Sequence, residues 1–285
     1  MSKVFFITGA SSGFGKALAL AALARGDRVV LAARRRESLD RLAATAPDRA
    51  LAVALDITDA AQRQAAVDAA LARFGRVDVL ANIAGRGSLG AAEEFAPAQL
   101  REQMDVNFIG SAELTRALLP TLRRQRSGHV LMLTSVGGIA SHPGFAPYCA
   151  SKFALEGWSE ALRGELAPLG IHVTIVEPGA FRTEFAGDVN MRPERRLDDY
   201  REVIDPIEEY LYGNAGQQPG DPAKAALAML AVVDHPSPPL RLMLGADAFA
   251  FWEAKRQQLD EEFAQWRDVG LGTAFDGSAV LPVGG

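Results

Sequence analysis

Cysteine is almost missing from this chain of 285 residues, which has one, Cys149. A single thiol excludes an internal disulfide framework and fits a reducing, cytoplasmic setting. A basic excess is missing too. The net charge is −5 at pH 7, which argues against a nucleic-acid partner. No apolar run reaches the ~18 residues that span a bilayer. No charged leader precedes a hydrophobic segment, because "KVFFIT" reads at once as a strand, so no secretion signal is expected. Internal repeats and low-complexity linkers are also lacking, which favours one domain over residues 1–285.

What is present is a rich supply of core. Hydrophobic residues make up 48% of the chain, enough for one large α/β domain. Short apolar runs at 4–8, 28–33, 50–55, 77–82, 129–134 and 172–177 read as buried parallel strands, with a last one at 240–244. Helical patterns lie between them. Ala17–Arg25 stops at Gly26. Another starts at Pro147 and runs to about Ala167. Asp221 and Pro222 open a third that reaches about Val233, and Asp247 to about Trp266 makes a fourth. Strands alternating with helices predict a doubly wound, Rossmann-type parallel sheet with helices on both faces. Residues 184–220 have weak periodicity and read as a loop or lid, and 247–285 as a C-terminal helix and tail. The helices near 222–233 and 252–266 are expected to cover the core.

"TGASSGFG", Thr8 to Gly15, lies between the first strand and its helix. Glycines at 9, 13 and 15 allow a tight turn and bring N–H groups close to an anion, and the helix N-terminus adds positive potential. Gly9, Ser11, Ser12, Gly13, Phe14 and Gly15 are therefore cofactor-binding candidates. The second strand ends "LAARRR". An NAD site usually places a carboxylate there for the ribose hydroxyls; Ala33 stands in that place and Arg34 follows. A small residue leaves room for a 2′-phosphate, and a guanidinium can hold it with paired hydrogen bonds. NADP, with NADPH preferred over NADH, is the expected cofactor.

"YCASK" puts Tyr148 and Lys152 one helical turn apart on one face. Free tyrosine titrates near pH ~10, and use as a base near neutrality needs a drop of roughly three units, about 4 kcal/mol. One ammonium ~4 Å away at an effective dielectric of ~20 supplies about that much as an upper limit, so Lys152 accounts for most of the drop if the site closes around cofactor, and a positively charged nicotinamide ring would add to it. The alternative is an ordinary exposed pair. Ser135, at the carboxyl end of a strand and thirteen residues before Tyr148, is placed to hold a carbonyl oxygen in line with the phenol. Its alternative role is to cap the turn in "TSVGG".

Taken in order, Thr8-Gly9-x-x-x-Gly13-x-Gly15, Asp56, Asn82-x-Ala84-Gly85, Asn107, Ser135, Tyr148-x-x-x-Lys152 and Pro178-Gly179-x-x-x-Thr183 resemble the short-chain dehydrogenase/reductase family in its single-domain form, over roughly residues 3–183. The resemblance implies that Asp56, with Ile57 beside it, meets the adenine, and that Asn82, Ala84 and Gly85 support the cofactor. It implies that Asn107 holds a water against Lys152, and that Phe181 and Thr183, after Pro178 and Gly179, hold the nicotinamide carboxamide. Lys152 would bind the nicotinamide ribose and lower the Tyr148 pKa. Two departures stand out. Ile83 replaces the family's second asparagine, which removes one polar contact. The last strand continues as "GADAFAFWEAKRQQL" without the usual Asp-Gly-Gly, so a dimer is expected at least as much as a tetramer.

The resemblance implies hydride transfer between NADP(H) and a ketone, aldehyde or alcohol, with Ser135 and Tyr148 touching substrate. Phe185, Tyr200, Tyr210 and Tyr212 in the 184–220 segment, with Ile139, His142 and Phe145, suggest a medium or bulky hydrophobic small molecule. Some of these aromatics are expected only to pack the loop, and Cys149 to serve packing. Two other readings remain. One is a sensor or scaffold that binds NADP without catalysis. The other is an epimerase or dehydratase, which usually carries a different glycine spacing and an elongated sugar-nucleotide domain.

Overall fold

The computed structural model describes residues 2–187 and 189–278. Seven parallel strands form one sheet: β1 (Val4–Thr8), β2 (Arg28–Ala33), β3 (Ala50–Ala54), β4 (Val79–Asn82), β5 (Gly128–Leu133), β6 (Ile171–Pro178) and β7 (Arg241–Leu244). Their order is β3-β2-β1-β4-β5-β6-β7. The chain works outward from β1 in one direction, then returns to β1 and works outward in the other. The reversal leaves a crevice above the carboxyl ends of β1 and β4, where ligands bind in open α/β sheets.

Side-chain alternation builds a core on each face of the sheet. Phe5 and Ile7 point to one face. There they meet Leu18 and Leu23 of α1 (Gly13–Ala24), Leu39 of α2 (Arg36–Ala43) and Met229 of α8 (Pro222–Asp234). Phe6, between them, points to the other face. It meets Val67 of α3 (Ala60–Phe74), Leu114 and Leu118 of α5 (Gly110–Gln125), and Leu155 and Leu162 of α6 (Ala146–Leu166). α4 (Pro97–Met104) leads into α5 through a wider, π-helical turn at Asp105–Ile109. Asp221 caps α8 as its sequence predicts, accepting from the Ala223 N–H at 2.8 Å.

Two expectations need correction. The segment 184–220 contains a helix, α7 (Arg201–Gly213). Pro206 inside it hides the pattern, since proline removes a helix hydrogen bond and is read as a breaker. The last helix, α9 (Ala246–Leu271), is longer than predicted and does little to cover the core. Ala248 is its one buried residue, and every described residue from 260 onward is exposed. The second half of the helix runs past the body of the domain and presents Phe263 and Trp266 to solvent. Part of the predicted tail, 279–285, lies outside the described residues.

Candidate active site

The crevice is a cavity of about 980 Å³, running from the end of β2 to the start of α9. Its floor is tied together by Thr8. The Thr8 hydroxyl accepts from the N–H groups of Ile83 (2.8 Å) and Ala84 (3.0 Å) and donates to the Ala81 carbonyl (3.3 Å). Backbone groups thus make the link across β1 and β4, and Ile83 buries its side chain in the core.

The turn from β1 into α1 is built for close backbone approach. Gly9 has φ +65°, and a Cβ there would sit 3.1 Å from the Ala84 nitrogen. A Cβ on Gly15 would strike the Gly9 carbonyl. Ser12 precedes α1 without a side-chain cap, so the first N–H groups of the helix stay available to an anion. Gly9, Ser11, Ser12, Gly13 and Phe14 all line the cavity; Gly15 does not, and serves by letting the helix start against Gly9. A pyrophosphate fits this cradle.

Ala33 and Arg34 line the far end, with Asp56 and Ile57 opposite. Asp56 accepts from the Thr58 N–H (3.0 Å) and hydroxyl (2.7 Å). The Thr58 backbone bond, with Arg34 nearby, holds the Asp56 carboxyl below the usual range. Among the described residues Arg34 forms no ion pair, whereas Arg35 pairs with Glu184 at 3.3 Å and Arg36 with Asp40 at 2.8 Å.

The other end holds the titratable groups. Ser135 follows β5, and its oxygen accepts from the Gly137 N–H at 3.0 Å. It also lies close enough to the Tyr148 phenol to act on its titration. The serine therefore caps its turn, as one of its two expected roles has it, and lines the cavity beside the tyrosine. Tyr148 is 8% exposed. The ring of Phe185 meets it edge-on at 5.3 Å, and Phe145 lies at 6.5 Å. Lys152 is also buried. Its ammonium donates to the Leu133 carbonyl at 2.8 Å and sits 5.9 Å from the centre of the Tyr148 ring.

In the protein alone, Lys152 does not pull the phenol toward neutrality. Burial pushes Tyr148 above its ordinary value, with neighbouring Ser135 opposing. Burial also lowers Lys152, to about 8, with Glu156 opposing. Low dielectric penalises both charged forms, and here that outweighs the attraction between them.

Asn107 stands behind this pair, in the π-helical turn. Its Nδ2 donates to the Arg86 carbonyl and to Ser151 Oγ, both at 2.9 Å, and its Oδ1 accepts from the Arg86 N–H at 2.9 Å. A Cβ on Gly85 would lie 3.2 Å from Asn107 Oδ1 and 3.5 Å from Lys152 Nζ. Asn107 thus borders Lys152 without lining the cavity. Asn82 is likewise buried, bonded to Thr115 at 2.8 Å. Ala84, Gly85, Pro178, Gly179, Phe181 and Thr183 do line it. Phe181 packs on Phe14 with ring centres 5.0 Å apart.

Of the aromatics in 184–220, Phe185 alone lines the cavity's titratable end. The Tyr200 hydroxyl donates to Glu93 at 2.7 Å, Tyr212 lies under Arg192 at 4.1 Å, and Tyr210 is exposed. His142, Phe145 and Cys149 line the opposite wall, while Ile139 does not. Two wall residues were missed from sequence. Phe251 of α9 meets His142 edge-on at 4.9 Å. Asp247, at the α9 N-terminus, accepts from the Ala180 N–H at 2.6 Å. The signal for Asp247 was its place just after the last strand, in a helix start that favours an acid.

A model of the family described as short chain dehydrogenase matches residues 3–194. Oxidoreductase BOA17 of Botryotinia fuckeliana is 36% identical over 96% of this chain and 100% of its own length. A 3-ketodihydrosphingosine reductase of Bacteroides thetaiotaomicron is 32% identical over 93% of this chain and 96% of its own. The crystal structure of a short-chain dehydrogenase from Streptomyces avermitilis superposes with a TM-score of 0.90, at 47% identity, covering 96% of this chain and 98% of that one.

Proposed function

The chain belongs to the short-chain dehydrogenase family, and from that premise we propose that it is an NADP(H)-dependent oxidoreductase that interconverts a hydrophobic ketone or aldehyde with its alcohol. The observation that carries the proposal is that Ser135, Tyr148 and Lys152 meet at one end of a cavity whose other end is a glycine cradle open to a pyrophosphate. When bound, the nicotinamide supplies or receives the hydride.

Everything else falls to the chain's own groups. Ser135 donates to the substrate oxygen and holds it beside the phenol. In reduction, Tyr148 gives its proton to that oxygen as negative charge gathers there. A phenol held above its ordinary pKa is fully protonated at neutrality, and an alkoxide is more basic still, so the transfer runs downhill. Lys152 then stabilises the phenolate, and the proton returns through the buried polar groups around Asn107. Oxidation is the reverse, with Tyr148 as base. Arg34, in no ion pair among the described residues and beside Ala33, supports the preference for a 2′-phosphate. Phe145, Phe185 and Phe251 surround the substrate end with aromatic carbon, which suits a medium or bulky apolar substrate. Phe185 lies against the phenol, so the 184–220 segment acts as a lid that excludes water.

A panel of apolar ketones and alcohols, each tested with NADPH or NADP⁺ and with NADH or NAD⁺, tests this reading. Turnover of hydrophobic members with the phosphorylated cofactor is expected. A complete lack of turnover, or a preference for small polar carbonyls with NADH, would overturn it.

A further inference from the structure

One buried group beside the proposed machinery has no part in the proposed mechanism. Glu156 follows Lys152 by one turn of α6, and its side chain is 6% exposed. Arg241, at the start of β7, reaches it with Nη1, and the same nitrogen contacts Glu177 of β6 at 2.5 Å. The Glu177 side chain is 1% exposed. Arg241 Nη2 also reaches Glu160, on the exposed side of α6, at 3.2 Å. One guanidinium therefore serves three carboxyl groups, two of them buried. The other cation acting on Glu156's surroundings is Lys152, whose charge Glu156 supports.

Glu156 also touches the turn that presents Ser135. A Cβ on Gly138 would lie 2.9 Å from Glu156 Cγ and 3.2 Å from its Oε1. That oxygen has no hydrogen-bond partner among the described residues. A buried carboxylate oxygen without a partner is costly, and protonation relieves the cost. Two buried carboxyls around one arginine cannot both ionise cheaply.

We infer that Glu156 is a positioning residue for catalysis: it keeps Lys152 protonated, and its competition with Glu177 for the one Arg241 nitrogen that both contact sets how much negative charge Lys152 feels. This rests on the proposed role of Lys152. Burial pushes both carboxyls up, the Glu177 charge adding to the rise in Glu156 and Arg241 opposing it. The groups facing Glu156 are Lys152 from its own helix, Glu177 from β6, Arg241 from β7 and the uncharged Thr134 after β5. Glu160 joins through Arg241.

The test reads Lys152 directly, in the chain without cofactor or substrate. The protein has five lysines, at positions 3, 16, 152, 224 and 255. Carbon-13 labelling of the lysine ε-carbons gives one titration for each, and the spectrum of Lys152→Arg assigns the one that matters. Glu156→Gln keeps the shape that packs against Gly138 and removes the charge. It is expected to lower the Lys152 midpoint by about one pH unit, the scale of a single partly screened charge one helical turn away. Glu177→Gln removes the competing carboxyl, so Glu156 ionises more fully and the midpoint is expected to rise. Shifts of opposite sign support the inference. An unchanged midpoint in Glu156→Gln, or shifts in the same direction, would overturn it. Should Glu156→Gln fail to fold, the direction in Glu177→Gln decides alone. Because no turnover is read, the outcome is independent of whether Tyr148 is the proton donor.

Discussion

Replacing Arg34 with alanine isolates the choice of cofactor. Arg34 lines the cavity at the end of β2, beside Ala33, and forms no ion pair among the described residues. It acts on Asp56 only at a distance and so can turn to a ligand, unlike Arg35 and Arg36, which hold ion pairs. Hydrogen bonds to charged groups contribute about 1.5–3 kcal/mol each. The side chain is exposed before any ligand arrives, so water and salt screen the contact and the lower end applies, about 1.5 kcal/mol, or about tenfold in affinity. Arg34→Ala should weaken NADPH about tenfold and leave NADH nearly unchanged. Arg34→Asp should go further, because a carboxylate repels the 2′-phosphate and can accept from the ribose hydroxyls that NADH offers. Fluorescence of the bound nicotinamide, titrated at two salt concentrations, gives both dissociation constants. In the unmodified chain the NADPH value should weaken more with salt than the NADH value. An unchanged NADPH-to-NADH ratio in both variants would refute the assignment of Arg34.

Other sites give sharper structural tests. Gly15→Ala places a methyl against the Gly9 carbonyl; overpacking of this kind costs about 1–3 kcal/mol, so calorimetry should show a lower melting temperature and titration a loss of dinucleotide binding. Asp247→Ala removes the acceptor for the Ala180 N–H, in the segment proposed to meet the nicotinamide; the cofactor KM should rise more than kcat falls, and Asp247→Asn should restore much of it. His129 is buried beside His172 and bonded to Thr174 at 2.9 Å, and burial lowers its pKa to about 3. The unfolded chain takes up a proton near pH ~6.5 while the folded one does not, so stability is lost as pH falls from about 6.5 toward 3. His129→Gln should flatten that loss in melts at pH 7, 5 and 4, and an unchanged slope would assign it to other groups, such as His172.

The sheet was legible because its central strands are buried on both faces and so carry apolar runs. "VFFIT" and "HVLML" leave few other readings. The cradle was legible because its glycines answer to local backbone geometry, which sequence spacing encodes. Tyr148 and Lys152 were legible for the same reason, being one helical turn apart. What escaped was mostly set by distance along the chain. Phe251 reaches His142 from beyond β7, and no local pattern records that meeting; Phe185 was among the expected wall aromatics, but its edge-on contact with Tyr148 from beyond β6 was not. Pro206 masked α7. The apolar stripe of α9 looked like core, but periodicity says only that a helix has an apolar face, and among the described residues the second half of that face is exposed. The surroundings of Tyr148 in the protein alone were legible only in part. The sequence shows a neighbouring charge, while burial, which opposes it, becomes visible only in the fold.

Tyr148→Phe tests the central claim most directly. The substitution removes one oxygen and keeps the ring that packs against Phe185. A positioned general acid contributes about 10²–10⁴-fold, so reduction of a carbonyl substrate, followed by loss of NADPH absorbance, should fall by at least about 10²-fold while the NADPH dissociation constant stays the same. Turnover within a few-fold of the unmodified enzyme would contradict the account.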